Sequence, residues 1–306
     1  MEETSLSLAP IALFAFNRPK HTAITIEALL KNTSVRESNL FIYCDAPKSE
    51  EDIKKTSEVA QMLDKVTGFK SINIIRRQYN YGLADNIVSG VTEVLSEYKR
   101  VIVLEDDMRV SSNFLDFMNK ALDYYYNEKQ VMHINGWNYP LNSKKLPNCF
   151  LWRVMNCWGW GTWEDRWRHY IGDTETILKS FNKMDILRFN LYGVNNYWSQ
   201  IIRNHTGAIN TWAIFWYASI FLNNGLCLSP TETLVENIGL DGSGMHCGRS
   251  NKIHLAVDNK IDYNYPSDIK ENRLAVYEIA KHLLYNKINI RFRSMLNASL
   301  GKKAII

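Results

Sequence analysis

The chain has 306 residues, 46% hydrophobic and 22% charged, a balance that excludes a disordered polymer and suits one large domain or two closely joined ones. Its net charge of +4 is small and evenly spread over most of the length, which argues against nucleic acid as the main partner. Five cysteines, Cys44, Cys149, Cys157, Cys227 and Cys247, are odd in number and form no CxxC pair, which argues against a disulfide framework or a structural zinc site and for a reducing compartment.

The first nine residues are acidic and lack the basic start and apolar core of a signal peptide, and no apolar run approaches a membrane span, so a cytoplasmic protein is expected. From there, strand and helix signals alternate. An apolar run over 11–16 predicts a strand; Asn17-Arg18-Pro19 follows it, then an amphipathic helix over 21–30. A second strand over 39–44 ends at Asp45, and 50–66 reads as a charged helix. A third strand over 71–75 leads through Asn80 into a helix over 82–98, whose apolar positions include Leu83, Ile87, Val91, Val94 and Leu95. A fourth strand over 100–104 ends in Glu105-Asp106-Asp107. Strands separated by helices of this length imply right-handed crossovers and a mostly parallel central sheet flanked by helices, an α/β fold. Such sheets bind ligands beyond the carboxyl ends of their strands. Asn17, Arg18, Asp45, Asn80 and the acidic triplet all fall at those ends.

Three adjacent carboxylates repel one another and are costly unless a hard cation or a cationic substrate group offsets them. Strand alternation puts Glu105 and Asp107 on one face and Asp106 on the other. One or two carboxylates suit Mn²⁺ or Mg²⁺, which take their remaining ligands from water and substrate phosphates, so a nucleoside diphosphate is the natural partner. A solvated turn capping the next helix is the plain alternative. No GxGxxG is present, which disfavours a dinucleotide fold of the NAD type.

The second half begins with a helix over 113–126 and a strand over 132–137, then becomes loop-rich and dense in Trp, Gly and Asn. Its notable pieces are Trp158-Gly159-Trp160, with Glu164 and Asp165 close behind, an aromatic segment over 211–222, and a glycine-rich loop from Asp241 to His246. Nine Trp and sixteen Tyr are many for this length, and Trp137, Trp158, Trp160 and Trp212 are candidates for a platform on which sugar rings pack. No linker separates the halves. The expected division is one domain over 1–280, with a nucleotide-binding half over 10–130 and an acceptor half over 131–250, and a tail over 281–306. That tail carries six Lys or Arg residues and no acid, interleaved with apolar residues, as a segment lying on an anionic membrane surface does; a helix packed on the domain is the alternative.

The ordered series Phe16-Asn17-Arg18-Pro19, Asp45, Asn80-Tyr81-Gly82-Leu83, Leu104-Glu105-Asp106-Asp107, Trp158-Gly159-Trp160 and the loop ending at His246 resembles glycosyltransferases of the GT-A fold, specifically the bacterial relatives of N-acetylglucosaminyltransferase I. The resemblance runs from Pro10 to about Gly248. It implies that Arg18 and Asp45 hold the nucleoside, that Asp107 ligates Mn²⁺, that Glu105 and Asp106 lie near the sugar and ribose, and that the loop holding Asp241 and His246 closes over the donor, with His246 reaching a phosphate.

The match fails at one place. An inverting enzyme needs a base to deprotonate the acceptor hydroxyl. The family's Asp after a Trp aligns with Trp212-Ala213-Ile214, where this chain has no acid. Three readings follow: Glu164 or Asp165 acts as base, Asp241 does so when its loop closes, or the enzyme is retaining and needs none. The expected function is a metal-dependent, inverting hexosyl- or N-acetylhexosaminyltransferase that moves a sugar from a UDP-sugar to a glycan hydroxyl during bacterial lipopolysaccharide or capsule synthesis. Its acceptor is then a lipid-linked glycan at the inner face of the cytoplasmic membrane. The alternative is a sugar-nucleotide or glycan-binding module of the same fold that has lost catalysis. A nucleotidyltransferase is disfavoured, because Asn17-Arg18-Pro19 offers no glycine-rich phosphate loop.

Overall fold

A computed structural model describes residues 7–141, 143–241 and 262–299. The first half alternates as its periodicity predicts: β1 (Ile11–Ala15), α1 (Pro19–Leu30), β2 (Asn39–Cys44), α2 (Glu50–Leu63), β3 (Ser71–Arg76), α3 (Gly82–Tyr98) and β4 (Arg100–Glu105). Every residue of β1 is buried, as expected of a strand covered on both faces. Pro19 opens α1, where its missing N–H costs nothing. Ser49 and Asp52 form a capping box that starts α2. Helix α3 stops at Lys99, whose left-handed backbone (φ 64°) lets its N–H bond back to the Leu95 carbonyl.

The second half holds β5 (Met108–Val110), α4 (Phe114–Tyr124), β6 (Val131–Asn135), β7 (Cys149–Trp152), β8 (Trp160–Trp163), α5 (Glu164–Trp167), α6 (Thr174–Ser180), α7 (Lys183–Phe189), α8 (Trp198–His205), α9 (Ala213–Leu222), β9 (Leu226–Pro230), β10 (Val235–Asn237) and α10 (Arg273–Ser299). Eight strands form one sheet in the order β3-β2-β1-β4-β8-β6-β9-β7. The fold is mixed α/β with this sheet at its centre. Its first four strands are parallel, and β6 pairs parallel with β9. β8 runs antiparallel between β4 and β6, and β7 is antiparallel to β9. The second half is therefore less parallel than its sequence led one to expect.

Two hydrophobic clusters cover the faces of the sheet. One, including Ile102 and Leu104, joins α1 and α4; the other, including Val101 and Val103, joins α3 and α9. Both draw residues from each half of the chain. Helix α9 is buried almost all round, which is why its sequence shows no amphipathic stripe. Helix α10 crosses position 281 without a break and anchors Ala275 and Ile279 in the second cluster.

Two features of this topology position a site. Strand order reverses between β1 and β4, which opens a crevice at their carboxyl ends. β5 and β10 form a separate antiparallel ribbon, with Met108 opposite Asn237, so a late segment of the chain lies directly beside the end of β4.

Candidate functional site

The crevice between β1 and β4 is filled by the acidic triplet and Arg18. The Phe16 N–H donates to Asp106 Oδ2 (3.2 Å), and Thr25 Oγ1 donates to the Asp106 carbonyl (2.9 Å). Arg18 Nη2 lies 2.7 Å from Asp106 Oδ1 and 3.0 Å from Asp107 Oδ2. Both aspartates are almost fully buried, 3% and 5% exposed, and Glu105 is half-buried. The expectation that Asp106 faces away from Asp107 is corrected: the strand ends at Glu105, and the next two residues form a turn that presents both carboxylates to one guanidinium.

The electrostatics follow from that crowding. Burial, then the neighbouring Asp107 and Asp106, pushes the Glu105 carboxyl up to about 8. Burial raises Asp106 to about 6 even though Arg18 pulls it down. Burial lowers Arg18, and the two carboxylates more than offset that, leaving it above its usual value.

A strap formed by the end of β10 closes over this cluster. The Ile238 N–H donates to the Asp107 carbonyl (2.9 Å), and the Gly239 N–H donates to Asn237 Oδ1 (2.8 Å). A Cβ on Gly239 would stand 2.2 Å from Asp107 Oδ2 and 2.8 Å from Arg18 Nη1, so any side chain there would displace the ion pair. Asp241 Oδ2 lies 3.2 Å from His21 Nε2 on α1. The structure thus brings Asp241 to the same rim as Arg18 and Asp107. His246 lies outside the described residues.

Three other expected ligand-binding residues are employed within the protein. Asp45 accepts from the Ala46 N–H (3.0 Å) and Tyr81 N–H (2.8 Å) on Oδ1, and from Asn80 Nδ2 (3.1 Å) and the Gly82 N–H (2.9 Å) on Oδ2. These four bonds fill the acceptor sites of a carboxylate, so Asp45 clamps the start of α3 and has no lone pair left for a nucleoside. Asn80 Nδ2 also reaches the Ala46 carbonyl (2.7 Å), and Asn17 Nδ2 donates to Asp52 Oδ1 (2.6 Å), tying the end of β1 to α2.

Glu164 and Asp165 are not brought to the cluster. β8 is antiparallel to β4, with Trp163 opposite Arg100, and the Glu164 N–H donates to the Lys99 carbonyl (2.9 Å). Both acids therefore sit at the amino end of β4, about 16 Å of strand away from Glu105. Asp165 pairs there with Lys129 (2.6 Å) and Arg166 (2.7 Å), and Glu164 with Arg168 (3.4 Å). Neither can serve as base at the acidic triplet.

The aromatic platform is also corrected. Trp160, Trp212 and Trp137 are 1%, 4% and 6% exposed. Trp160 stacks between Trp212 (5.1 Å) and His133 (5.2 Å) in the core. Trp158, two residues before β8 on the triplet's edge of the sheet, keeps part of its surface and meets Trp137 edge-on (4.8 Å).

Tyr79, Arg77 and Gly239 were given no role from the sequence, and Tyr81 entered only as part of the Asn80-Tyr81-Gly82-Leu83 series. Tyr79 is 66% exposed and stacks on Tyr81 (4.8 Å), with the Arg77 guanidinium 4.5 Å from the Tyr81 ring, just beyond β3. Their place after a strand end was the available signal. For Gly239 the signal was its place in the glycine-rich stretch from Asn237 to His246, whereas its constraint comes from residues far away in sequence.

Among the described residues, no three His, Cys, Asp or Glu side chains are grouped as a ready-made metal cage. Mn²⁺ and Mg²⁺ do not need one, since they take one or two carboxylates and complete their shell with water and phosphate. The local chemistry fits such an ion: Asp107 Oδ1 is buried and has no hydrogen-bond partner among the described residues, a costly state for a carboxylate oxygen unless something occupies it in function.

No family model and no curated protein matches the chain. Among solved structures, the mannosyltransferase PcManGT from Pyrobaculum calidifontis in complex with GDP-Man and Mn²⁺ overlaps with a TM-score of 0.40 at 9% identity, over 72% of this chain and 73% of that one. The galactosyltransferase LgtC in complex with donor and acceptor sugar analogs overlaps with a TM-score of 0.37 at 9% identity, over 69% and 70%. TarS from S. aureus overlaps with a TM-score of 0.28 at 12% identity, over 41% of this chain, which spans 21% of that one.

Proposed function

We propose that this chain is a metal-dependent glycosyltransferase that binds a nucleotide-sugar, a UDP-sugar by the resemblance of its motifs, at the crevice between β1 and β4. The observation that carries this reading is the buried Asp107 Oδ1, without a hydrogen-bond partner among the described residues, at the end of a central parallel strand and at the point where strand order reverses. Asp107, with Asp106 beside it, would hold Mn²⁺ or Mg²⁺. Such an ion supplies neutralisation of the charge that builds on the leaving diphosphate. Arg18 offers N–H donors to the same phosphates, and Glu105 lies at the sugar's end of the crevice. Tyr79 presents a flat exposed ring to a base. Asp45 and Asn80 act indirectly, by fixing the loop that carries Tyr79 and Tyr81.

For an inverting reaction, Asp241 is the remaining candidate to take the proton from the acceptor hydroxyl. The acceptor is proposed to be a glycan, lipid-linked and used in bacterial lipopolysaccharide or surface polysaccharide synthesis, with the exposed apolar face of α10 and the basic end of the chain turned to the inner face of the membrane.

The test is nucleotide release from UDP-, GDP- and dTDP-sugars with Mn²⁺ or EDTA. Metal-dependent release from one donor, abolished in Asp107→Ala and reduced at least about a hundredfold in Asp241→Asn, is expected. Release that EDTA or Asp107→Ala leaves unchanged would refute the metal role, and unchanged release in Asp241→Asn would refute the base. One observation favours a second reading, a sugar-nucleotide-binding module: α9 starts with Ala213 and Ile214, so no carboxylate stands where the resembled family has its base. That reading predicts calorimetric binding of a UDP-sugar with no turnover of any donor.

A further inference from the structure

The geometry points to Arg18 as a built-in counter-cation, which holds the acidic pair in the absence of metal and must release Asp107 before a divalent ion can be bound there. The inference rests on the reading of Asp107 as metal ligand and concerns how that site is controlled.

Four observations carry it. Arg18 precedes Pro19, which keeps its backbone out of the helical region (φ −121°, ψ 71°), and its carbonyl is held by the Thr22 N–H (3.0 Å) and Thr22 Oγ1 (2.8 Å), so its side chain is launched across the crevice from a fixed base. One nitrogen, Nη2, spans both aspartates, at 2.7 and 3.0 Å. Asp107 has one oxygen on Arg18 and the other buried with no partner among the described residues, so a single carboxylate is half occupied by the internal cation and half open to an external one. Gly239 passes so near the pair that an added Cβ would collide with both Asp107 Oδ2 and Arg18 Nη1, so the strap backbone lies directly over the ion pair.

A dication on Asp107 would stand within a few ångströms of the guanidinium, and like charges at that range in a buried site repel strongly. A nucleoside diphosphate would resolve the conflict, because its phosphates would take the Arg18 donors and add negative charge beside the ion, so metal and nucleotide would each raise affinity for the other. A site of this design stays neutralised when empty and takes metal poorly on its own.

The experiment is a Mn²⁺ titration followed by the electron paramagnetic resonance signal of the free ion, with and without UDP, on the wild type, Arg18→Met, Arg18→Gln and Arg18→Lys. Circular dichroism and thermal melting report folding. Without UDP, Arg18→Met and Arg18→Gln are expected to bind Mn²⁺ about tenfold more tightly than the wild type, while Arg18→Lys, which keeps the charge, stays within about threefold. UDP should tighten Mn²⁺ binding to the wild type more than to the two neutral variants. The Gln side chain can still bond both aspartates, so it serves if the Met variant does not fold. Folded neutral variants with unchanged or weaker Mn²⁺ affinity would overturn the counter-cation and leave the metal site standing. Absence of Mn²⁺ binding in every protein, with or without UDP, would overturn the metal reading itself and this inference with it.

Discussion

The two oxygens of Asp107 have unequal surroundings, one facing Arg18 and the other no donor among the described residues, and His133 gives the opposite case of a buried polar group with both ring nitrogens placed. Its Nδ1 accepts from Trp216 Nε1 (3.1 Å), which fixes the proton on Nε2, and that nitrogen faces the Asn156 carbonyl (3.1 Å). Burial pushes His133 down to about 3, below its ordinary 6.5. The unfolded chain therefore binds a proton below pH 6.5 that the native state refuses, so His133 contributes stability in full above pH 6.5 and loses it as pH falls toward 3. Urea unfolding of the wild type and His133→Gln at pH 7, 6 and 5 should show the wild type losing stability faster on acidification. Parallel pH profiles for the two proteins would rule this out. Such a histidine is a structural fixture of the core beneath Trp160, and nothing about its position in the sequence distinguishes it from a ligand.

Among elements, α3 depends most on one distant side chain. Its first N–H groups are received by Asp45, at the end of a different strand, so the helix start and the β2 end form one rigid unit. Asp45→Ala should cost about 1–2 kcal/mol, as loss of a helix cap does, and lower the melting temperature by a few degrees. A nucleotide affinity that collapses with the melting temperature unchanged would instead make Asp45 a direct ligand. Elements of this half were legible in the sequence because their period and boundaries agree; β2 and α3 occupy the residues that the pattern predicted. β7, β8 and β9 were not. They are four or five residues long and buried on both faces, so Trp160-Gly161-Thr162-Trp163 shows no alternation and reads as loop. The same short strand explains the misplaced base: Glu164 follows Trp158 closely in sequence, yet β8 carries the chain between them to the opposite edge of the sheet. Arg18 and the acidic triplet were legible because strand ends in a parallel sheet converge on one edge, whichever way the later strands run.

For the molecule as a whole, α10 exposes one face among the described residues. Ala275 and Ile279 are buried against the domain, while Tyr277, Tyr285 and Ile288 are 60%, 64% and 64% exposed on the other side. No acidic residue follows Glu278, whereas Lys281, Lys287, Arg291, Arg293, Lys302 and Lys303 do. Vesicle sedimentation should find the protein on anionic vesicles and not on zwitterionic ones, with binding weakened by salt and by a Tyr285→Ser, Ile288→Ser double variant. Binding indifferent to lipid charge, or none, would count against a membrane-facing α10. The pairing of β5 with β10 also sets an order in time. Val110 meets Val235, so the ribbon that seats Gly239 on Asp107 cannot close until nearly the whole domain has left the ribosome. The four parallel strands of the first half can assemble before then, with their carboxylates still open to water. Closing so long a loop comes late, and the acidic crevice is therefore sealed near the end of folding, after the framework that carries it already stands.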